Sequence, residues 1–130
     1  MKGYVLNIEE ETTKNENFRK VLFTANYSQL VVMSLNPGED IGDEVHGLDQ
    51  FIRVEEGEGK VVLDGVESAF NKDFAVVIPA GTRHNIINTS ADSKMKLYTL
   101  YSPPEHKHDT VQATKAEDEE DHFDGVTGQA

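Results

Sequence analysis

The 130-residue chain contains no cysteine. Disulfides and thiolate-bound metals are therefore excluded, and thiol usage says nothing about redox compartment. Basic residues are scarce: 12 Lys and Arg stand against 24 Asp and Glu, a formal net charge of −12. A nucleic-acid binder needs a basic footprint to displace counterions from phosphates, and an anionic membrane surface makes the same demand. Neither partner is expected. No apolar run approaches the ~18 residues that cross a bilayer. The opening Met1-Lys2-Gly3-Tyr4-Val5 passes directly into Asn and Glu without the apolar stretch of a secretory signal, so a cytoplasmic location is expected. Internal repeats, an interdomain linker and any convincing 3.6-residue apolar period before residue 110 are also lacking.

What remains is a soluble composition, 37% hydrophobic and 28% charged, of a length suited to one domain with one modest core. Short segments rich in β-branched and aromatic residues recur along it: Phe18 to Ala25, Gln29 to Leu35, Phe51 to Glu55, Lys60 to Leu63, Phe74 to Ile78, His84 to Asn88 and Lys96 to Ser102. Between them lie Asn36-Pro37-Gly38, Gly57-Glu58-Gly59, Asp64-Gly65 and Pro79-Ala80-Gly81, all turn chemistry. Asp64-Gly65 tolerates positive φ and predicts a tight hairpin. The pattern is that of an all-β sandwich or barrel over residues 1–110, with its core at about 29–102. Pro103-Pro104 stops the last strand. Residues 111–130 form an acidic tail, with Thr114 and Glu117 spaced as a capping box that predicts one short helix. Val126 to Ala130 is expected to fray. The acidic runs at Glu9-Glu10-Glu11 and at 117–124 read as solvated faces.

Chemistry concentrates in two segments, Pro37 to Gly59 and Ile78 to Asn88. Glu44 and His46 are two apart, so in extended chain both side chains share a face. Gln50 lies four further on, where a hairpin would return its amide oxygen beside that pair. His84 follows a Pro-x-Gly turn and enters a new strand pointing inward. Two imidazoles and a carboxylate make a facial set that binds a divalent metal with open positions, as in non-haem Fe(II) sites. Gln50 is either a fourth, neutral ligand or a donor that orients Glu44 or a bound water. The alternative for His46 and His84 is a pair of hydrogen-bonded histidines in a metal-free binding cavity.

These segments resemble the two sequence motifs of the cupin superfamily. The second motif, Pro-x-Gly, two residues, His, three residues, Asn, is matched in full by Pro79, Gly81, His84 and Asn88. In the first, His46 and Gly57 match, while Glu44 stands where the family usually has His and Gln50 where it usually has Glu. The resulting set of two His, one Glu and one Gln is similar to the zinc set of phosphomannose isomerases. The resemblance implies a single-domain cupin, a double-stranded β-helix or jelly-roll barrel, here with a short helical C-terminal tail and expected as a homodimer. It further implies a divalent metal ion (Zn, Fe, Mn or Ni) at Glu44, His46, Gln50 and His84, acting on a small polar metabolite in oxygenase, isomerase or lyase chemistry. The rival is a non-catalytic module binding a sugar or carboxylate.

An enzyme needs an acid or base within reach of the open metal position. His106 and Tyr98 are the candidates carried forward; Glu105 and Tyr101 are also available. Tyr98 and Tyr101 have opposite strand parity, so only one of them is expected in the cavity. Glu105-His106-Lys107-His108 reads either as an exposed loop or as a segment folding over the barrel mouth. His122 is expected to pack beside Phe123. Arg53 and Arg83 are the cations nearest the motifs in sequence, with Arg53 expected to point outward.

Overall fold

The computed structural model describes residues 2–118 and 121–130; Glu119 and Glu120 of the acidic run lie outside them. Strands follow the turn punctuation. The larger sheet contains β1 (Arg19–Thr24), β2 (Gln29–Leu35), β3 (Asp49–Glu56), β6 (Ala75–Ile78) and β8 (Met95–Ser102). Two short tail strands, β9 (Val111–Gln112) and β10 (Gly128–Gln129), complete it. The order is β10-β1-β2-β8-β3-β6, with β9 also on β1. The smaller sheet is β5-β4-β7, from β4 (Gly59–Leu63), β5 (Val66–Ala69) and β7 (His84–Asn88). These strands pair antiparallel throughout the described residues, and the two sheets face one another across one apolar cluster.

The Asp64-Gly65 hairpin forms as expected: Leu63 pairs with Val66, and both turn residues have positive φ, 47° and 83°, the primed geometry that matches strand twist. Val66 to Ala69, not singled out in the sequence, is the returning strand; its four residues are exposed and carry no alternating apolar signal.

A helix before residue 110 was not expected, yet α1 spans Ile8–Lys14. At seven residues it is too short to display an apolar period. Asn7 caps it by accepting from the Glu10 N–H at 3.1 Å, and Glu9, Glu10 and Glu11 sit in its first turn, where the helix dipole favours negative charge.

The tail is also more ordered than its composition implies. Thr114 precedes only a 3-10 turn, Lys115–Glu117, and its side chain makes no capping bond. Gly128 and Gln129, expected to fray, pair with Thr24 and Phe23 of β1.

Register sorts the barrel into two ends. On the inner face of the larger sheet Gln29, Tyr101, Gln50 and Ile78 lie in one row, and Met33, Leu97 and Val54 lie in another four residues along. In the smaller sheet Leu63 pairs with His84, Val61 with Ile86 and Gly59 with Asn88. Polar inward residues therefore collect at one end, the mouth, and apolar ones at the other.

Candidate functional site

The chain from Glu39 to His46 runs as a strap along β7. Ile41 N donates to Ile86 O, Glu44 and His84 exchange both backbone bonds at 2.9 Å, and Gly81 N donates to His46 O at 2.8 Å. This strap sets Glu44 beside His84. The hairpin expected between Glu44 and Gln50 does not form. After Gly47 and Leu48 the chain crosses to the larger sheet, where Gln50 pairs with Ile78 and Tyr101. Glu44, His46 and His84 thus belong to one side of the mouth and Gln50 to the other.

At the floor, His46 Nε2 lies 2.7 Å from Glu44 Oε2, and the His46 and His84 ring centroids are 5.1 Å apart. Tyr101 meets His46 edge-on at 6.2 Å. His84 Nδ1 is 2.9 Å from the Thr82 carbonyl, which assigns the proton to Nδ1 and leaves Nε2 with a lone pair. Gln50 Nε2 donates to Thr99 Oγ1 at 3.0 Å, while its Oε1 is buried without a partner. The Glu44 hydrogen bond is the main cause that raises the pKa of His46, against burial. Burial pushes Glu44 up, but the hydrogen bond and charge of His46, with Arg19 and His84 further off, hold it below the usual carboxylate range.

The roof is the segment after β8. Gln29 pins it: its Nε2 donates to the His106 carbonyl at 2.8 Å and to Thr24 Oγ1 at 3.0 Å, and its Oε1 accepts from the His106 and Glu105 N–H groups. So held, Glu105 places Oε2 3.7 Å from His46 Nδ1 and Oε1 3.7 Å from His122. Burial raises the Glu105 pKa, partly opposed by His46 and His122. His106 is buried, with Nδ1 2.7 Å from Asp121 and Nε2 3.4 Å from the Tyr101 hydroxyl. Burial and the charge of Arg19 lower its pKa, against Asp121. Asp121 also accepts from Thr110 and the Lys107 N–H.

Between floor and roof is a cavity of about 400 Å³ lined by Arg19, Glu44, Val45, His46, Glu105, His106, Asp118, Asp121 and His122. The tail folds over the mouth, so the looser reading of Glu105 and His106 as an exposed loop fails. Tyr98 is not at the cavity: its ring meets Phe51 at a tilt, centroids 6.3 Å apart, on the outer face, opposite in parity to buried Tyr101. Arg53 and Arg83 point away as well, bonded to Asp73 and Asp43. His122 lines the cavity and faces Glu105, where packing beside Phe123 was expected. The cation of the cavity is Arg19, overlooked in the sequence. Its parity matches that of buried Val21, so a charge at an inward position was the available signal.

Residues 31–101 match the family model described as a cupin domain, just over half of the chain. The chain belongs to the cupin family. This cupin is 46% identical to the protein BH2720 of Bacillus halodurans, whose crystal structure superposes with a TM-score of 0.86, covering 89% of this chain and 92% of that one. It is 44% identical to the uncharacterized protein YrkC of Bacillus subtilis over 89% of its own length and 66% of that protein's. The chain thus spans about two thirds of the length of that curated relative. KdgF from Halomonas, at 23% identity and TM-score 0.60 over 65% of this chain and 76% of that one, shares the fold.

The donor chemistry of the cupin's floor suits a divalent ion: a carboxylate, two imidazoles, one with a tautomer fixed from behind, and an amide oxygen buried without a partner. Among the described residues no three His, Asp or Glu side chains stand grouped as a cation site, so Glu44, His46 and His84 are not set around an ion position as they stand. The fourth motif residue, Asn88, is structural: its amide donates to the carbonyls of Leu35, Asn36 and Ser93 and accepts from Ser90 N.

Proposed function

We propose that this cupin holds one divalent metal ion with Glu44, His46, Gln50 and His84 and acts on a small polar metabolite in the cavity above it, His106 serving as the acid–base group. The observation that carries the reading is the Gln50 oxygen. A buried acceptor without a partner costs about 1–3 kcal/mol, and an ion facing it removes that cost. When bound, the ion would supply Lewis acidity toward a substrate oxygen or a site for O₂.

The chain's own groups set up the proton chemistry. Asp121 accepts a hydrogen bond from the His106 Nδ1–H, which fixes the tautomer and leaves Nε2 as the proton acceptor. Burial favours the neutral, proton-accepting imidazole. The same burial raises the Tyr101 pKa, so its hydroxyl stays protonated and donates. The Gln29 anchor holds the roof segment in place over these groups.

A second reading, a binding module for a sugar or carboxylate, is favoured by the 2.7 Å Glu44–His46 pair, which satisfies both groups without an ion. Elemental analysis of the purified protein before and after chelation separates the two. The proposal expects about one Fe, Mn, Ni or Zn per chain, lost in the His46→Ala, His84→Ala double variant while the barrel stays folded. Full occupancy in that variant would overturn the assigned ligands.

The expected homodimer has a suitable surface. Leu30, Leu100, Phe51 and Val77 align across four strands on the outer face of the larger sheet, with Val77 66% exposed. In a chain of net charge −12, an acid-free row lets two copies meet with least repulsion. Val77→Glu should shift sedimentation from dimer to monomer; a monomeric native protein would refute the assignment.

A further inference from the structure

Resting on that reading of the cavity, we infer that Arg19 anchors a carboxylate-binding subsite, and that the metabolite is a small monocarboxylic acid bearing a hydroxyl or carbonyl oxygen beside its carboxylate. Arg19 is 2% exposed, and a guanidinium keeps its charge when buried. Its Nη1 is occupied by Gln112 and Asp118. Its Nε is buried without a partner, although the residue lines the cavity. A buried N–H donor on a permanent cation is unfavourable unless a ligand completes it. The Tyr101 hydroxyl stands behind the guanidinium, hydrogen-bonded to it, and holds it in place from outside the cavity lining. A fixed cationic N–H at the cavity suits a carboxylate oxygen.

The rest of the cavity orients and limits such a ligand. Arg19 lines the same cavity as Glu44 and His46, so a carboxylate on Arg19 leaves its adjacent carbon, with the oxygen it bears, on the side of the Glu44–His46 floor. His106 lines that cavity as well. The volume of about 400 Å³ admits a small acid. Glu44, Glu105, Asp118 and Asp121 surround it, and this acidity disfavours a second or third negative charge on the ligand. Phosphate esters and tricarboxylates are thereby selected against. Arg53 and Arg83, engaged by exposed Asp73 and Asp43, offer no competing site at the mouth.

The test is calorimetric titration of the full chain with lactate and pyruvate, against lactamide, pyruvamide and citrate. It is run on protein with added metal and on chelated protein, with metal content measured on the same samples. The two monocarboxylates should bind at least about tenfold more tightly than the neutral amides and than citrate. Arg19→Gln should abolish the preference for acid over amide. That substitution also removes bonds to Gln112 and Asp118, so a second variant separates binding from folding. Asp118→Asn frees Arg19 from its internal carboxylate and should tighten lactate binding severalfold, whereas a purely structural Arg19–Asp118 pair predicts weaker binding. Amides that bind as well as acids, absence of acid binding, or weakened binding in Asp118→Asn would each overturn the subsite. Metal present without acid preference defeats this inference alone. Acid preference dependent on Arg19 in protein that takes up no metal upholds it and defeats the metal reading.

Discussion

At the closed end of the barrel the inward side chains are Met33, Leu35, Val54, Phe70, Met95 and Leu97, all at or near zero exposure. At the mouth they are Arg19, Gln29, Gln50, His84, Tyr101 and His106, almost equally buried. Strands β2, β3 and β8 supply members of both sets, and only a few residues separate them along each of these strands. Burial therefore does not distinguish the two ends; hydrogen bonding does. Apolar groups at the closed end gain from leaving water at roughly 25 cal/mol per Å². Polar groups at the mouth gain only where partners replace water, as they do around Gln29 and fail to do at Gln50 Oε1 and Arg19 Nε. The closed end carries such an atom as well, Ser34 Oγ; at the mouth Arg19 belongs to a cavity that a ligand can enter.

Filling the closed end is the harshest way to break this contrast. A Cβ on Gly59 would stand 2.3 Å from the Ile87 carbonyl oxygen and 3.0 Å from the Met95 methyl. The carbonyl belongs to the β4–β7 ladder and has no room to yield. Gly59→Ala should destabilise by roughly 3 kcal/mol, read as a lower urea midpoint, whereas a mouth substitution of similar size should leave the midpoint near its native value.

Acid should loosen the mouth before the core. The His106 pKa is lowered by burial, so the unfolded state takes up a proton first, and stability falls as pH drops below about 6.5, the unperturbed value. Asp121 is lowered by its bonds to Thr110, His106 and Lys107, which outweigh burial. Its contribution is present above about 3.9 and lost as pH falls through the lower folded value. Arg19 and Glu44 also act on His106, the first lowering its pKa further and the second raising it. Hydrogen exchange between about pH 7 and about pH 5 should show faster opening of residues 105–112 with β3 and β8 unchanged; uniform loss across the barrel would refute it.

The smallest expected effect has the opposite sign. Gln50→Leu combined with Thr99→Val replaces a half-satisfied buried amide and the hydroxyl it donates to with apolar groups of similar size and should stabilise the metal-free protein by about 1 kcal/mol, while weakening metal affinity. Stability and site quality would then move in opposite directions at a mouth residue, as they cannot at Leu97.

How far the sequence disclosed this contrast depended on the range of the signal. Gln29 to Leu35 and His84 to Asn88 coincide with β2 and β7 because alternation and flanking turns are local. Glu44, His46 and His84 were legible as a group, since period-2 spacing and a Pro-x-Gly turn determine side-chain direction. The partner of Gln50 was not: whether it pairs across a hairpin or in the other sheet is decided by the strap Glu39 to His46, whose bonds run to β7. Helix α1 is too short to show a period, although Asn7 and Glu10 had capping spacing. The roof was hardest, because β9 and β10 are two residues each and owe their existence to β1.

Those two strands have a consequence for association. β9 pairs with Arg19 and Lys20, and β10 with Phe23 and Thr24, so together they occupy the edge of β1 that β2 does not. An open edge is a template for another chain's strand. The segment that roofs the cavity is therefore also the guard on the sheet's flank. A variant or condition that frees it exposes a ready pairing surface, and losses in such variants should appear first as aggregation during expression and storage.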